Sequence, residues 1–253
     1  MDQGSTAPVI SVVMPLFNAE QYVASSIESV QCQTFREWEL LILDDGSEDG
    51  SAQIAEQYAR EDGRIRVFRN ERNRGVAYTR NRAMEMARGE WIALLDCDDL
   101  WREEKLERQL AKASERCAEL VYASYTLFRK ESGKRKNYIV PESVTYDSML
   151  RENVIGCSTV LVRRELMKEH HFRPDYDLED YALWLELLRN GHRFAGCTEV
   201  LVDWRILNGS RSSRKLRSAG KRWNVYRKAE KLPLIKSTGA FAAYAVRAVW
   251  KRL

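Results

Sequence analysis

Trp91-Ile92-Ala93-Leu94-Leu95-Asp96-Cys97-Asp98-Asp99 is an apolar run that stops abruptly in a cluster of carboxylates. An unbroken apolar run of this length, closed by polar residues, reads as a strand buried on both faces. The same pattern recurs upstream. Residues 8–14 form a β-branched run ended by Pro15, residues 38–43 a second run stopped by Asp44-Asp45-Gly46-Ser47, and residues 65–69 a third. Helical signals fill the gaps. Asn18 and Gln21 have the spacing of a capping box, and Val23, Ile27 and Val30 follow at i, i+4, i+7, predicting a helix to residue 33. Ile54 and Tyr58 mark the inner face of a second helix, and residues 76–87 a third with Gly89 as its C-cap. Strand–helix alternation over about a hundred residues predicts an α/β fold, an open and mostly parallel sheet with helices on both faces. Ligands bind such sheets outside the carboxyl ends of the strands. Pro15 to Asn18, Asp44 to Ser47 and Asp96 to Asp99 all belong there, and Asn73 follows the third strand.

The second half is less regular. A helix is expected over 106–117, a strand over 120–128, a polar, basic loop over 130–137, a strand over 159–162 and a helix over 181–188. Trp184 and Leu188 share one face of that last helix, which makes Trp184 a core residue. Two basic helices follow from residue 215, broken near Pro233.

The chain has 253 residues, 44% hydrophobic and 31% charged, enough for one large domain with an appendage. The polar N-terminus does not read as a signal peptide, and no stretch reaches the ~18 apolar residues of a membrane span. A cytoplasmic protein is expected, peripheral on the inner face of the membrane if its tail binds lipid. Cys32, Cys97, Cys117, Cys157 and Cys197 are scattered, with neither CxxC nor a nearby histidine, so they read as reduced, mostly buried thiols. His170, His171 and His192 receive no role. The net charge of +4 is unevenly placed: from Trp204 to Leu253 there are 14 Lys and Arg against one acid, Glu230, on an otherwise acidic chain.

Two carboxylates one residue apart at a strand end can hold a hard divalent cation and leave positions for phosphate oxygens. Asp96 and Asp98 fit that need, whereas Asp99 fits better as a cap for a helix at Trp101. A second pair, Asp44 and Asp45, ends a neighbouring strand. Asp44, Ser47 and Asp49 read as turn or cap residues, and Asp45 as an acceptor for a base N–H. Glu179 and Asp180 precede an apolar helix, where the residues alone favour first-turn acids stabilised by the helix dipole over a general base.

Taken together, Val12-Val13-Met14-Pro15-Leu16-Phe17-Asn18, Ser29 to Phe35, Leu43-Asp44-Asp45-Gly46-Ser47, Asn73-Arg74-Gly75 with Arg80-Asn81, and Leu95 to Trp101 resemble the family 2 glycosyltransferases. Asn153 to Val160, Glu179 to Leu185 and Trp204-Arg205 look like the bacterial polysaccharide-assembly members, which extends the resemblance over nearly the whole chain. The resemblance implies a GT-A fold over residues 1–203, with a nucleotide-sugar half (1–105) and an acceptor half (106–203), then a basic helical extension at 204–253. It further implies a nucleotide-sugar donor, UDP by default, a Mn2+ or Mg2+ ion, and inversion at the anomeric carbon. Phe17 would stack on the base beside Pro15, with Asp45 on the base N–H and Asn73 nearby. Asp96 would bind ribose and assist the metal, Asp98 would be its main ligand, and Asp180 would be the catalytic base. Arg80 has two readings, a phosphate contact or a helix-surface charge; Arg205 is a second candidate for the phosphates.

The expected partners are the nucleotide-sugar, a saccharide acceptor of the lipid-linked kind used by related enzymes, and a membrane surface met by residues 234–253. There Phe241, Ala245, Val246, Val249, Trp250 and Leu253 fall on one helical face, with Lys236, Arg247 and Lys251 around the other. Packing of that helix on the body is the alternative. Nucleic acid is not expected, because the tail's aromatics form no RNA-binding motif and the strand-end acids would repel a phosphate backbone. A nucleotidyltransferase would need a Gly-rich loop after the first strand, and Pro15-Leu16-Phe17-Asn18 is not one. A noncatalytic nucleotide-sugar-binding relative would be marked by loss of Asp96, Asp98 or Asp180, and all are present.

Overall fold

The computed structural model describes residues 7–129, 133–176, 178–207 and 215–250, with backbone alone at 215–218 and 247–250. The order is β1 (Ile10–Leu16), α1 (Val23–Gln31), β2 (Trp38–Asp44), α2 (Ser51–Glu61), β3 (Ile65–Arg69), α3 (Val76–Glu85), β4 (Trp91–Leu94), β5 (Leu100–Trp101) and α4 (Lys105–Arg116). It continues with β6 (Leu120–Phe128), β7 (Arg135–Tyr138), α5 (Tyr146–Arg151), β8 (Leu161–Arg163), α6 (Arg164–Glu169), α7 (Glu179–Arg189), β9 (Phe194–Arg205), α8 (Lys215–Asn224) and α9 (Leu234–Trp250).

One sheet runs β3-β2-β1-β4-β8-β6-β9-β5, with β7 paired to β6. Its first four strands are parallel, β8 is antiparallel to β4 and β6, and β9 lies parallel to β6. The mostly parallel α/β expectation therefore holds for the first half, while the second half is mixed. Every residue of β1 and β2 is buried, as their continuous apolar runs require.

The strand order reverses between β1 and β4, and Pro15 sits at that point. The carbonyl of Val13 accepts from Leu95 N–H (3.0 Å) on the β4 side, and that of Leu16 from Asp45 N–H (2.7 Å) on the β2 side. Alternate residues turn their peptides to opposite sides, so Pro15 faces β4 without a donor to offer. The β1–β4 register ends at Val13–Leu94, and the strands part beyond it. Pro15 therefore does not end β1, as the sequence reading had it; it ends one side of its pairing.

Other local expectations are corrected. Asn18 is no helix cap: its φ is 46°, its Oδ1 accepts from Glu48 N–H (2.9 Å), and α1 begins at Val23 without a side-chain cap. Gly89 lies beyond the C-cap of α3, which is Met86. A Cβ on Gly89 would stand 2.6 Å from Ser11 N, so close approach to β1 demands glycine there. Asp99 caps nothing, since β5 follows it and α4 starts only at Lys105. Part of the expected loop at 130–137 is β7, its residues 130–132 lying outside the described part. Of the five free cysteines only Cys157 and Cys197 are buried. Trp184 is a core residue, as expected, packed edge-on to Phe172.

The boundary drawn at 203/204 falls inside β9, where Trp204 and Arg205 still pair with Leu127 and Phe128. The chain after β9 is held to the body: Tyr226 is buried with its hydroxyl on the Leu150 carbonyl, and Arg222 stacks on Tyr181 at 4.5 Å. In α9, Phe241 packs edge-on to Trp223 at 5.7 Å, and Tyr244 lies under the Arg222 guanidinium at 4.3 Å. Phe241 thus faces inward with buried Ser237, whereas Ala245 and Val246, grouped with it by sequence, point to solvent. The side chains of Arg247, Val249, Trp250, Lys251 and Leu253 lie outside the described residues.

Candidate active site

A cavity of about 660 Å3 opens where β1 and β4 part. Its wall brings together every residue singled out from sequence: Pro15, Phe17, Asp45, Asn73, Arg80, Asp96, Asp98 and Asp180. Pro15 lies near the end of β1 and Phe17 just after it, Asp45 just after β2, Asn73 on the loop before α3, Arg80 within α3, Asp96 and Asp98 on the loop after β4, and Asp180 in α7. The histidines are elsewhere, His170 on Glu186 at 2.7 Å and His192 on Glu119 at 3.1 Å.

Phe17 is 45% exposed at the rim, an unusual state for a large apolar ring and one that leaves a face to stack on. Asp45 is buried. Its Oδ1 accepts from Asn70 Nδ2 (2.7 Å) and Arg74 N–H (2.9 Å), and its Oδ2 from Gly75 N–H (2.8 Å). A carboxylate has about four acceptor positions, so one remains on Oδ2 for a ligand N–H. Gly75 has φ 86°, a conformation that glycine adopts without cost, and this turns its N–H onto Asp45. Asn73 Oδ1 accepts from the same N–H at 3.1 Å. Asp44, Ser47 and Asp49 serve the turn as expected: Asp44 accepts from Ser47 N–H (3.1 Å) and pairs with Arg69, and Asp49 accepts from Ser51 N–H.

The loop after β4 is held from three sides. Ser26 Oγ lies 2.8 Å from the carbonyls of both Cys97 and Asp99. Ser158 Oγ accepts from Asp96 N–H (3.1 Å) and donates to Asp99 (2.6 Å). Arg205 donates its backbone N–H to Asp99 (2.9 Å) and its Nε to the Asp98 carbonyl (2.8 Å), with its guanidinium between the rings of Tyr22 and Phe128. Burial, and then the charges of Asp98 and Asp96, push the Asp99 carboxyl well above the usual carboxylate range. Asp96 and Asp98, one residue apart on this loop and both lining the cavity, are the carboxylates that could meet a hard divalent cation.

Among the described residues no group of three or more His, Cys, Asp or Glu side chains is arranged as a metal cage. Asp96 and Asp98 alone could hold an ion that takes its other positions from phosphate oxygens and water, the usual habit of Mg2+ at phosphate sites.

Arg80 is not the surface charge that one reading made it; it is 2% exposed. One arm pairs with Asp96 (2.5 Å) and the other with Glu179 (3.0 Å), and its Nε meets no hydrogen-bond partner among the described residues. It thus bridges the metal-side carboxylate to the first turn of α7. There, burial and then the neighbouring Glu179 charge raise the Asp180 carboxyl to about 6, against the opposing pull of Arg80 and of Tyr181 N–H at 2.7 Å. Both acids do lie in the first turn of a helix, as the residues alone predicted.

Sequence reasoning missed Glu179 as the partner of Arg80 and Ser158 as the clamp on Asp96 and Asp99. Both are long-range pairings with no local signal. Gly156 did offer one: a Cβ there would meet the Trp204 ring at 2.6 Å, which explains a glycine beside a cavity-lining tryptophan.

This fold is the GT-A arrangement. Solved structures share it: S. aureus TarS 1-349 in complex with UDP-GlcNAc superposes with a TM-score of 0.72 at 22% identity, over 93% of this chain and 71% of that one. Mannosyltransferase PcManGT from Pyrobaculum calidifontis, in complex with GDP-Man and Mn2+, gives 0.72 at 16% identity, over 95% and 70%. The family model for Glycosyl transferase family 2 matches residues 11–170, and the chain belongs to that family of glycosyltransferases. It is 40% identical over 247 residues to the putative teichuronic acid biosynthesis glycosyltransferase TuaG of Bacillus subtilis, covering 97% of this chain and 98% of the relative. It is 35% identical to the UDP-Glc:alpha-D-GlcNAc-diphosphoundecaprenol beta-1,3-glucosyltransferase WfgD of Escherichia coli, covering 86% and 85%.

Proposed function

We propose that this glycosyltransferase moves a sugar, with inversion, from a UDP-sugar to a hydroxyl of a lipid-linked saccharide acceptor in bacterial surface-polysaccharide synthesis. The observation that carries the reading is the meeting of Asp180 with Asp96 and Asp98 in one cavity, where Arg80 pairs Asp96 with Glu179, the residue before Asp180. The names of the relatives support the donor and acceptor classes.

In this reading Phe17 stacks on the base beside Pro15, the remaining acceptor position of Asp45 takes a base N–H, and Asn73 borders the same end. Asp96 and Asp98 would hold Mn2+ or Mg2+. The bound ion would offset the negative charge that builds on the diphosphate as it leaves. Asp180 takes the proton from the acceptor hydroxyl as that oxygen bonds to the anomeric carbon. The bond from that carbon to the diphosphate oxygen breaks on the opposite face, and its electron pair departs with UDP. Arg80 holds Asp96 and α7 in fixed relation, so that base and leaving group lie across one sugar.

A thermal-shift panel of nucleotide-sugars with and without Mn2+ tests it. A UDP-sugar should raise the melting temperature of the wild type only with metal, and Asp98→Ala should lose that dependence. If no nucleotide-sugar stabilises the wild type in a metal-dependent way, the reading fails.

A further inference from the structure

Apart from Phe17 at the rim of the cavity, the large apolar side chains left exposed on the described surface are Ile139, Leu234, Ile235 and Val246. All but Ile139 lie on α9. Ile235 is 87% exposed, Leu234 60% and Val246 57%. Helical geometry puts Ile235, Ala242 and Val246 along one line, opposite the Ser237, Phe241 and Tyr244 face that packs on the body. The helix is therefore amphipathic towards the protein and apolar again on its outer side, where Ile235, Ala242 and Val246 are exposed among the described residues. An isolated surface leucine needs no explanation, but a line of them on one helix does.

The charge beside this line is of one sign. Arg227, Lys228, Lys231 and Lys236 are exposed just before and within the first turn of α9. The tail's single acid is turned away from them: Glu230 accepts from the Tyr146 hydroxyl (2.6 Å) and pairs with Arg189 (3.1 Å) in the protein. The outer surface at 227–236 is cationic, and an apolar strip continues from it. No helix among the described residues is long and apolar enough to cross a membrane.

We infer that the outer face of α9 is a docking surface for an anionic lipid bilayer. Ile235, Leu234 and Val246 would enter the headgroup boundary while Lys228, Lys231 and Lys236 meet lipid phosphates. The inference does not depend on which sugar the cavity uses, because it rests on a surface of the tail.

The test is flotation of the full chain with vesicles of phosphatidylcholine alone or mixed with phosphatidylglycerol, beside sedimentation of the free protein. The wild type should float with the anionic vesicles, much less with the neutral ones, and less at raised salt. Ile235→Glu with Val246→Glu should lower binding about tenfold or more, as should Lys228→Glu with Lys231→Glu and Lys236→Glu. Ile139→Glu, on an exposed side chain outside α9, should bind like the wild type. All these side chains are exposed, so melting temperatures should be unchanged; this separates lost docking from lost folding. The inference is overturned if the wild type does not float, if the apolar double variant floats equally well, or if the free protein is a dimer that this variant converts to monomer, which would assign the face to a second copy.

Discussion

At the scale of single residues, Asp180 is the acid on which the proposed chemistry turns. Its carboxyl is raised to about 6 by burial and by Glu179, so the folded state holds its proton more tightly than the unfolded chain does. Stability should therefore fall as pH rises through the interval between its ordinary value of 3.8 and about 6, and stay lowered above it. Asp180→Asn removes that cost. It should stabilise the protein by on the order of 2 kcal/mol at about pH 8 and by much less near pH 4, read from urea unfolding. Its transfer rate should fall about 10³-fold. The same titration predicts that kcat/KM of the wild type rises with pH and levels off above about 6, the base being active only when deprotonated. Arg80 is the complementary case. Arg80→Ala removes the ion pairs of Asp96 and buried Glu179 and should cost about 3 kcal/mol, whereas removal of an exposed pair such as Lys168–Glu165 should leave the urea midpoint nearly unchanged.

Among the elements, the junction of β1 and β4 makes the site. Pro15 halts their pairing, Gly89 lets the chain before β4 lie against β1, and the carboxylates of β4 then face the opening. Gly89→Ala should drive a methyl into the β1 backbone and destabilise by about 1–3 kcal/mol, seen as a lower urea midpoint with unchanged slope. The parallel half of this architecture was legible because β1, β2 and β4 are buried on both faces and so appear as plain apolar runs. β9 was not legible. Thr198 and Glu199 bulge out between the Ala123–Cys197 and Ser124–Val200 pairs, which breaks the alternation that marks a strand. β5 is only two residues long and gave no pattern at all. The candidate site was legible for the opposite reason: its acids and its proline stand at strand ends, where order along the chain fixes position. Glu179 with Arg80 and Ser158 with Asp96 were hidden, because tertiary packing alone sets such pairs.

Across the whole molecule, the tail is both part of the body and a surface of its own. Tyr226 and Arg222 close over Tyr181 in α7, so the residues after β9 support the helix that carries Asp180. Truncation after residue 207 should thus lower the melting temperature strongly and reduce transfer, while truncation after residue 233, which keeps Tyr226, should lower it less. In the proposed reading one cavity holds a metal-dependent donor site on the loop after β4 and a separate base on α7. The most direct measurement pairs two readings on Asp180→Asn: calorimetric affinity for UDP in the presence of Mn2+, and the initial rate of sugar transfer. UDP affinity should stay within about threefold of the wild type while transfer falls about 10³-fold. Transfer at the wild-type rate, or loss of UDP affinity in step with the loss of rate, would contradict that reading.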